Sequence, residues 1–247
     1  MVYAKYWNDS APMSFGPEKW TYAQKREFRY NLQSYMEHTF QFDRFRSGKS
    51  VLEIGSGAGI DSVELANSGA YVTAVDFTDN GVALTNALAR ETGQMFLDVR
   101  KADATKLPFV NEHFDAVYSF GVIHHIPEVK KALVEIRRVL KPHGLFFGMV
   151  YNKDSMLYQY SIVHLHENEG LTEEELVSKY SERNIGCPYT HAYTKDELQK
   201  LLSKYFQCVT VKTRYNVVDL PNQRKVKLDL PEGHPLGWHL CFEAIKP

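Results

Sequence analysis

Cysteine is scarce in this 247-residue chain: Cys187, Cys208 and Cys241 are the three, and they stand far apart. An odd, scattered set supports neither a disulfide framework nor a zinc site and suits a reducing compartment. Long apolar runs are missing as well. No stretch reaches membrane-spanning length, and the opening residues MVYAKYWNDS have no apolar signal core. A cytoplasmic protein without membrane insertion is therefore expected. An excess of either charge is absent too: the formal net charge is −1. That gives no broad electrostatic footprint for DNA or RNA, so no nucleic-acid partner is expected. The basic runs KREFR and RKVK are short and read as solvated faces. There are no internal repeats and no low-complexity tracts. The length fits one α/β domain with a cap or insertion, large enough to bury a substantial core.

What is present is a glycine loop. Residues 51–61 read VLEIGSGAGID: an apolar run holding Glu53, then Gly55, Gly57 and Gly59 at alternate positions, then helical apolar spacing from Ile60. A strand that turns through glycines into a helix start offers backbone N–H groups to a ligand. Dinucleotide sites favour G-x-G-x-x-G. Here the third glycine comes one residue early, which argues against an NAD-linked oxidoreductase. A second apolar run, YVTAVDF, ends in Asp76 about twenty residues past the first glycine, where a doubly wound nucleotide fold places its ribose carboxylate. Two further segments follow: VRKADATKLPF with Asp103, and HFDAVYSFGVIHHIP with His124 and His125.

In this order the segments resemble class I S-adenosylmethionine (SAM)-dependent methyltransferases, in particular the small-molecule group whose loop after the fourth strand is written here as GVIHHIP. The resemblance is dense over about residues 48–151. It implies an α/β fold: a doubly wound, mostly parallel, seven-stranded, Rossmann-like sheet with an N-terminal helical cap and an insertion after the fifth strand. The expected divisions of this single domain are an aromatic helical cap at 1–47, a cofactor-binding core at 48–151, a lid or substrate insertion at 152–192, and a C-terminal helix with edge strands at 193–247. Strands are expected at 50–54, 71–76, 95–101, 114–120 and 144–151, with helices at 58–68, 79–92 and 128–140. Lys141-Pro142-His143-Gly144 is expected to stop the last of these. A helix is expected at Ser155–His166, and Thr172 and Thr194 open capping-box helix starts. The tract DLPNQRKVKLDLPEGHP reads as a long loop.

The resemblance also implies site residues. Gly55, Ser56 and Gly57 would hold the methionine part of SAM, with Gly59 and Ser119 completing the cofactor set. Glu53 would contact the ammonium or else cap loop N–H groups. Asp76 would take the ribose hydroxyls, or serve only as a helix-start residue. Phe77 would pack on adenine or in the core. Asp103 with Ala104 would read the adenine edge, or form a turn. His124 or His125 would act as general base, or shape the loop. Neither makes a metal site, because adjacent rings rarely share one ion and no acid or Cys set completes it. Methyl transfer asks mainly for orientation and exclusion of water. Acceptor contacts are therefore sought in the aromatic cap (Tyr6, Trp7, Tyr22) and the insertion (Tyr151, Tyr158, Tyr160, His164). The implied reaction transfers methyl from SAM to O, N or C of a small molecule, an aromatic or isoprenoid metabolite among the candidates, and yields S-adenosylhomocysteine. The alternative is a SAM-binding module without turnover. A nucleic-acid amino-methyltransferase would carry Asn/Asp-Pro-Pro-aromatic after the fourth strand, where this chain has Tyr118-Ser119-Phe120-Gly121.

Overall fold

The computed structural model describes residues 2–10, 20–182, 186–221 and 223–247. Residues 11–19, part of the expected cap, lie outside the described residues. Helix α1 is Val2–Ser10, α2 is Tyr22–Leu32 and α3 is Met36–Phe40. The core follows as β1 (Ser50–Ile54), α4 (Ile60–Asn67), β2 (Tyr71–Asp76), α5 (Asp79–Glu91), β3 (Leu97–Lys101), β4 (Phe114–Phe120), α6 (Val129–Val139) and β5 (Leu140–Tyr151). Beyond it come α7 (Glu173–Tyr180), α8 (Lys195–Leu202), β6 (Gln207–Arg214), β7 (Val217–Leu220), β8 (Gln223–Lys227) and β9 (His239–Ile245).

Seven strands form one sheet in the order β3-β2-β1-β4-β5-β9-β6. The first five run parallel, and β9 lies antiparallel to both β5 and β6. This is the expected mostly parallel, seven-stranded sheet. Because successive strand residues point to opposite faces, each strand feeds two cores. Leu52, Val117 and Phe146 join Leu133, Ile136 and Leu198 on one side; Val51, Tyr118 and Phe147 join Met36, Phe40 and Val63 on the other. A third cluster ties the insertion to Trp238 through Leu157, Tyr158, Ile162, Leu176 and Val177.

The structure corrects several expectations. Helix α6 ends at Val139, and β5 begins at once: Leu140 pairs with Phe114, and the register shifts before Leu145 pairs with Ala116. The Lys-Pro-His-Gly segment is thus a bulge within the strand, with His143 at φ 60°. Ser155–His166 is not a regular α-helix: Leu157–Val163 is π-helical and His164–Glu169 is 3-10. The expected long loop contributes β8 to a small ribbon with β7, and RKVK lies within β8. The capping boxes at Thr172 and Thr194 are present. A third, Thr21 with Gln24, opens α2. Its T-x-x-Q spelling is the same signal.

The basic run KREFR departs most from its expected solvated face. Phe28 and Leu32 are 39% exposed, whereas Arg29 is 2% exposed and buries its guanidinium against Asp61. Arg29 Nη2 donates to Asp61 Oδ2 at 2.8 Å, and Tyr118 Oη donates to the same oxygen at 2.9 Å. The Arg29 guanidinium also lies 4.3 Å from the centre of the Phe120 ring. KREFR is therefore not simply a solvated face; one of its arginines clamps α2 onto the first turn of α4, directly behind the glycine loop.

Candidate functional site

At the carboxyl ends of the parallel strands lies a cavity of about 670 Å³. Open α/β sheets bind ligands at this edge, and the volume falls in the usual ligand-site range. The glycine loop, the end of β2 and the turn after β3 form one wall: Gly55, Gly57, Asp76, Phe77, Asp103 and Ala104 all line it.

The loop's donors are arranged differently from the bare N–H groups expected of it. Gly55 and Ser56 N–H both donate to the Val75 carbonyl, at 2.7 and 3.1 Å. Gly57 N–H donates to Asp76 Oδ2 at 2.9 Å. Buried amides need partners, and the adjacent strand and its terminal carboxylate supply them. What the loop leaves open is acceptor capacity: no described residue donates to the Gly55 carbonyl. Gly55 has φ 78°, and a Cβ there would meet Val122 at 2.2 Å, so only glycine brings the chain through.

Asp76 is anchored rather than loose. Its Oδ1 accepts from Thr78 N–H at 2.8 Å and Thr78 Oγ1 at 2.7 Å. Helix α5 approaches so closely that a Cβ on Gly81 would lie 2.4 Å from the Asp76 carboxyl carbon. Asp103 Oδ1 takes Thr105 N–H and Oγ1, both at 2.8 Å, while no described residue donates to its Oδ2. Phe77 is 45% exposed beside the cavity. An open carbonyl, a half-free carboxylate and a fixed one beside an exposed ring fit the ammonium, adenine and ribose of SAM.

Other expected cofactor residues stand behind this wall. Glu53 is buried and accepts from Ser62 Oγ; burial, then the Asp61 charge, push its carboxyl up to about 8. Ser56 accepts from Thr85 Oγ1 at 3.0 Å, and Ser119 donates to the Ile54 carbonyl at 3.4 Å. Glu53, Ser56, Gly59 and Ser119 do not line the cavity.

The opposite end is aromatic. Trp7 on α1 packs against His125 at 4.6 Å between ring centres, and Tyr151 stacks on Trp238 at 4.2 Å. Helix α1 is tied down over the cleft: Asn80 N–H donates to Asn8 Oδ1 at 3.0 Å, and Asn80 Nδ2 to the Asn8 carbonyl at 2.8 Å. His124 is fully buried outside the lining, and both its ring nitrogens lack partners. Burial and the neighbouring His125 push its pKa well below the usual histidine value. His125 lines the cavity. Burial opposes its charge, but Cys187 and Glu182 outweigh that and raise it to about 9. Its Nε2 is 3.5 Å from Glu182 Oε1, and its Nδ1 lies 3.0 Å from Thr190 Oγ1. Glu182 and Cys187 beside it thus favour the charged form of the His125 ring at the cavity wall.

Of the expected acceptor residues, Trp7 and Tyr151 line the cavity. Tyr6 packs edge-on to Trp7 at 5.0 Å, one position away from the lining. Tyr22 bonds Glu64, Tyr158 bonds Glu173, and Tyr160 packs on His164; none of these four lines it. Sequence reasoning missed Glu182, Tyr215, Trp238 and His239, which do. The Trp-His pair opening the last apolar run was a visible signal; Glu182 had none. Among the described residues no cluster could hold a metal ion, and no helix is long and apolar enough to cross a membrane.

Residues 52–148 match the family described as "Methyltransferase domain". Over 116 residues the chain is 35% identical to a ubiquinone biosynthesis O-methyltransferase of Paramagnetospirillum magneticum, covering 47% of this chain and 46% of that protein. Over 99 residues it is 41% identical to a demethylmenaquinone methyltransferase of Clavibacter sepedonicus, covering 40% and 39%. The matched segment thus spans less than half the length of either relative. Among solved structures, a protein of Pyrococcus horikoshii superposes with a TM-score of 0.65 at 17% identity, covering 95% of this chain and 96% of that one. A SAM-dependent methyltransferase of Methanosarcina mazei gives 0.61 at 20% identity, covering 84% and 97%. The matched core is thus similar to a methyltransferase domain, and the sheet order is that of the Rossmann-like methyltransferase fold.

Proposed function

We propose that the chain transfers a methyl group from SAM to a small, flat acceptor, an aromatic or isoprenoid metabolite, held at the aromatic end of the cavity. One observation carries this: the glycine loop, Asp76 and Asp103 share a single cavity with the Trp7–Tyr151–Trp238 aromatic face. Donor and acceptor sites thus face each other in one enclosure.

When bound, SAM supplies an activated methyl on a sulfonium. The chain's own residues bind and orient. Asp76, held by Thr78 and Gly57, accepts from the ribose hydroxyls. Asp103 Oδ2 accepts from the adenine amine, and Phe77 packs on the ring. The Gly55 carbonyl accepts from the ammonium. Glu53, with Ser62, supports the loop from behind rather than touching the ligand. Trp7, carried on α1, covers the cleft and excludes water. Orientation of this kind contributes up to about 7–11 kcal/mol in favourable systems, and aromatic faces favour a cationic sulfonium. The relatives named as a ubiquinone biosynthesis O-methyltransferase and a demethylmenaquinone methyltransferase support a flat acceptor by analogy.

Calorimetric titration with S-adenosylhomocysteine, with NAD in parallel, tests the donor site. Micromolar binding of the first alone is expected; binding of NAD instead would overturn the reading. Methyl-labelled SAM with a panel of flat acceptors then separates an enzyme from a binding module, since no turnover with any acceptor would leave only the latter.

A further inference from the structure

Glu182, on the segment that follows α7, brings a carboxylate into the aromatic end of the cavity. Its Oε1 accepts from Tyr151 Oη and faces His125 Nε2 at 3.5 Å; no described residue donates to its Oε2. Burial works against its charge, but His125 and Tyr151 outweigh that and keep the carboxyl below its usual range. It is therefore ionised at neutral pH, with one oxygen unused. Tyr151 and Trp238 stack beside it, and Trp7 and Tyr215 complete the surrounding rings.

The cations at this end are already matched. Lys225 Nζ lies 3.7 Å from Asp219 Oδ2, and His125 faces Glu182 itself. An anionic acceptor would find no uncommitted cation among the described lining residues, where Asp219 is paired with Lys225 and Glu128 with Lys131. A cation would meet an open carboxylate oxygen inside an aromatic wall, the combination that binds ammonium groups well.

Building on the donor-site reading above, we propose that the acceptor carries a protonated amine next to an aromatic ring, with the amine on Glu182 Oε2 and the ring against Trp7, Tyr151, Tyr215 and Trp238. This assigns how the acceptor is recognised and leaves open which of its atoms is methylated.

The test uses three probes of similar shape, phenethylamine, phenethyl alcohol and hydrocinnamate, titrated into the full chain saturated with S-adenosylhomocysteine. The amine should bind on the order of tenfold tighter than the alcohol, as a charged hydrogen bond warrants, and the carboxylate should bind weakest. In Glu182→Gln the amine should fall to the affinity of the alcohol, while the alcohol and S-adenosylhomocysteine bind as before. Equal binding of amine and carboxylate, or an equal loss for amine and alcohol in the variant, overturns the proposal; with S-adenosylhomocysteine still bound, the methyltransferase reading survives. Failure of S-adenosylhomocysteine to bind the unaltered protein overturns both.

Discussion

Replacing Asp61 by Asn removes one charge from an otherwise sealed pair. The Arg29 and Asp61 side chains are 2% and 8% exposed, and Nη2 meets Oδ2 at 2.8 Å. Asn keeps the shape and one acceptor oxygen, so Tyr118 retains a partner; Arg29 keeps the Phe120 ring but loses its counter-ion. Breaking a buried pair from one side typically costs about 3–5 kcal/mol, because the remaining charge stays buried. With an m value of about 3 kcal/mol/M, the urea midpoint should fall by roughly 1 M or more. Arg29→Met combined with Asp61→Leu removes both charges. It should recover much of that loss, short by the roughly 1–3 kcal/mol of the unsatisfied Tyr118 hydroxyl. Equilibrium urea unfolding followed by circular dichroism reads both variants. A midpoint within about 0.3 M of wild type for Asp61→Asn would refute the clamp, as would a double variant as unstable as the sum of its single changes.

Asp76→Ala should weaken S-adenosylhomocysteine binding at least about tenfold in calorimetry with the fold intact, as loss of charge-assisted bonds predicts; unchanged affinity would place the ribose elsewhere. Gly81→Ala should also lower that affinity, since its Cβ must displace the Asp76 carboxyl, and a normal Kd would show that the carboxylate has room to move. Glu53 has its carboxyl raised to about 8 in the fold. A raised carboxyl stabilises the fold below its unfolded pKa, and that contribution is lost as pH climbs through the folded value. Thermal melts from pH 5 to pH 8 should therefore decline more steeply for the natural protein than for Glu53→Gln; parallel curves would disprove the shift.

The sheet and the cavity wall of glycine loop and strand-end acids were readable because their signals are local. Alternating strands and helices, three glycines in five residues and acids at strand ends each follow from neighbours in sequence. Residues 141–144 misled because proline and glycine punctuate bulges as well as helix ends. Arg29 looked like surface because charge patterning cannot show a partner 32 positions away.

The sequence alone therefore determined the α/β architecture, the glycine loop and the carboxylates at the strand ends beside it, since backbone conformation and strand-end placement are set over a few residues. Tertiary structure decided the rest. It spent the loop amides on Val75 and Asp76, sealed His124 away, set His125 against Glu182 and brought Glu182, Tyr215, Trp238 and His239 to one end of the cavity. Those outcomes depend on burial and on charges brought together from distant parts of the chain, and only the folded packing sets either.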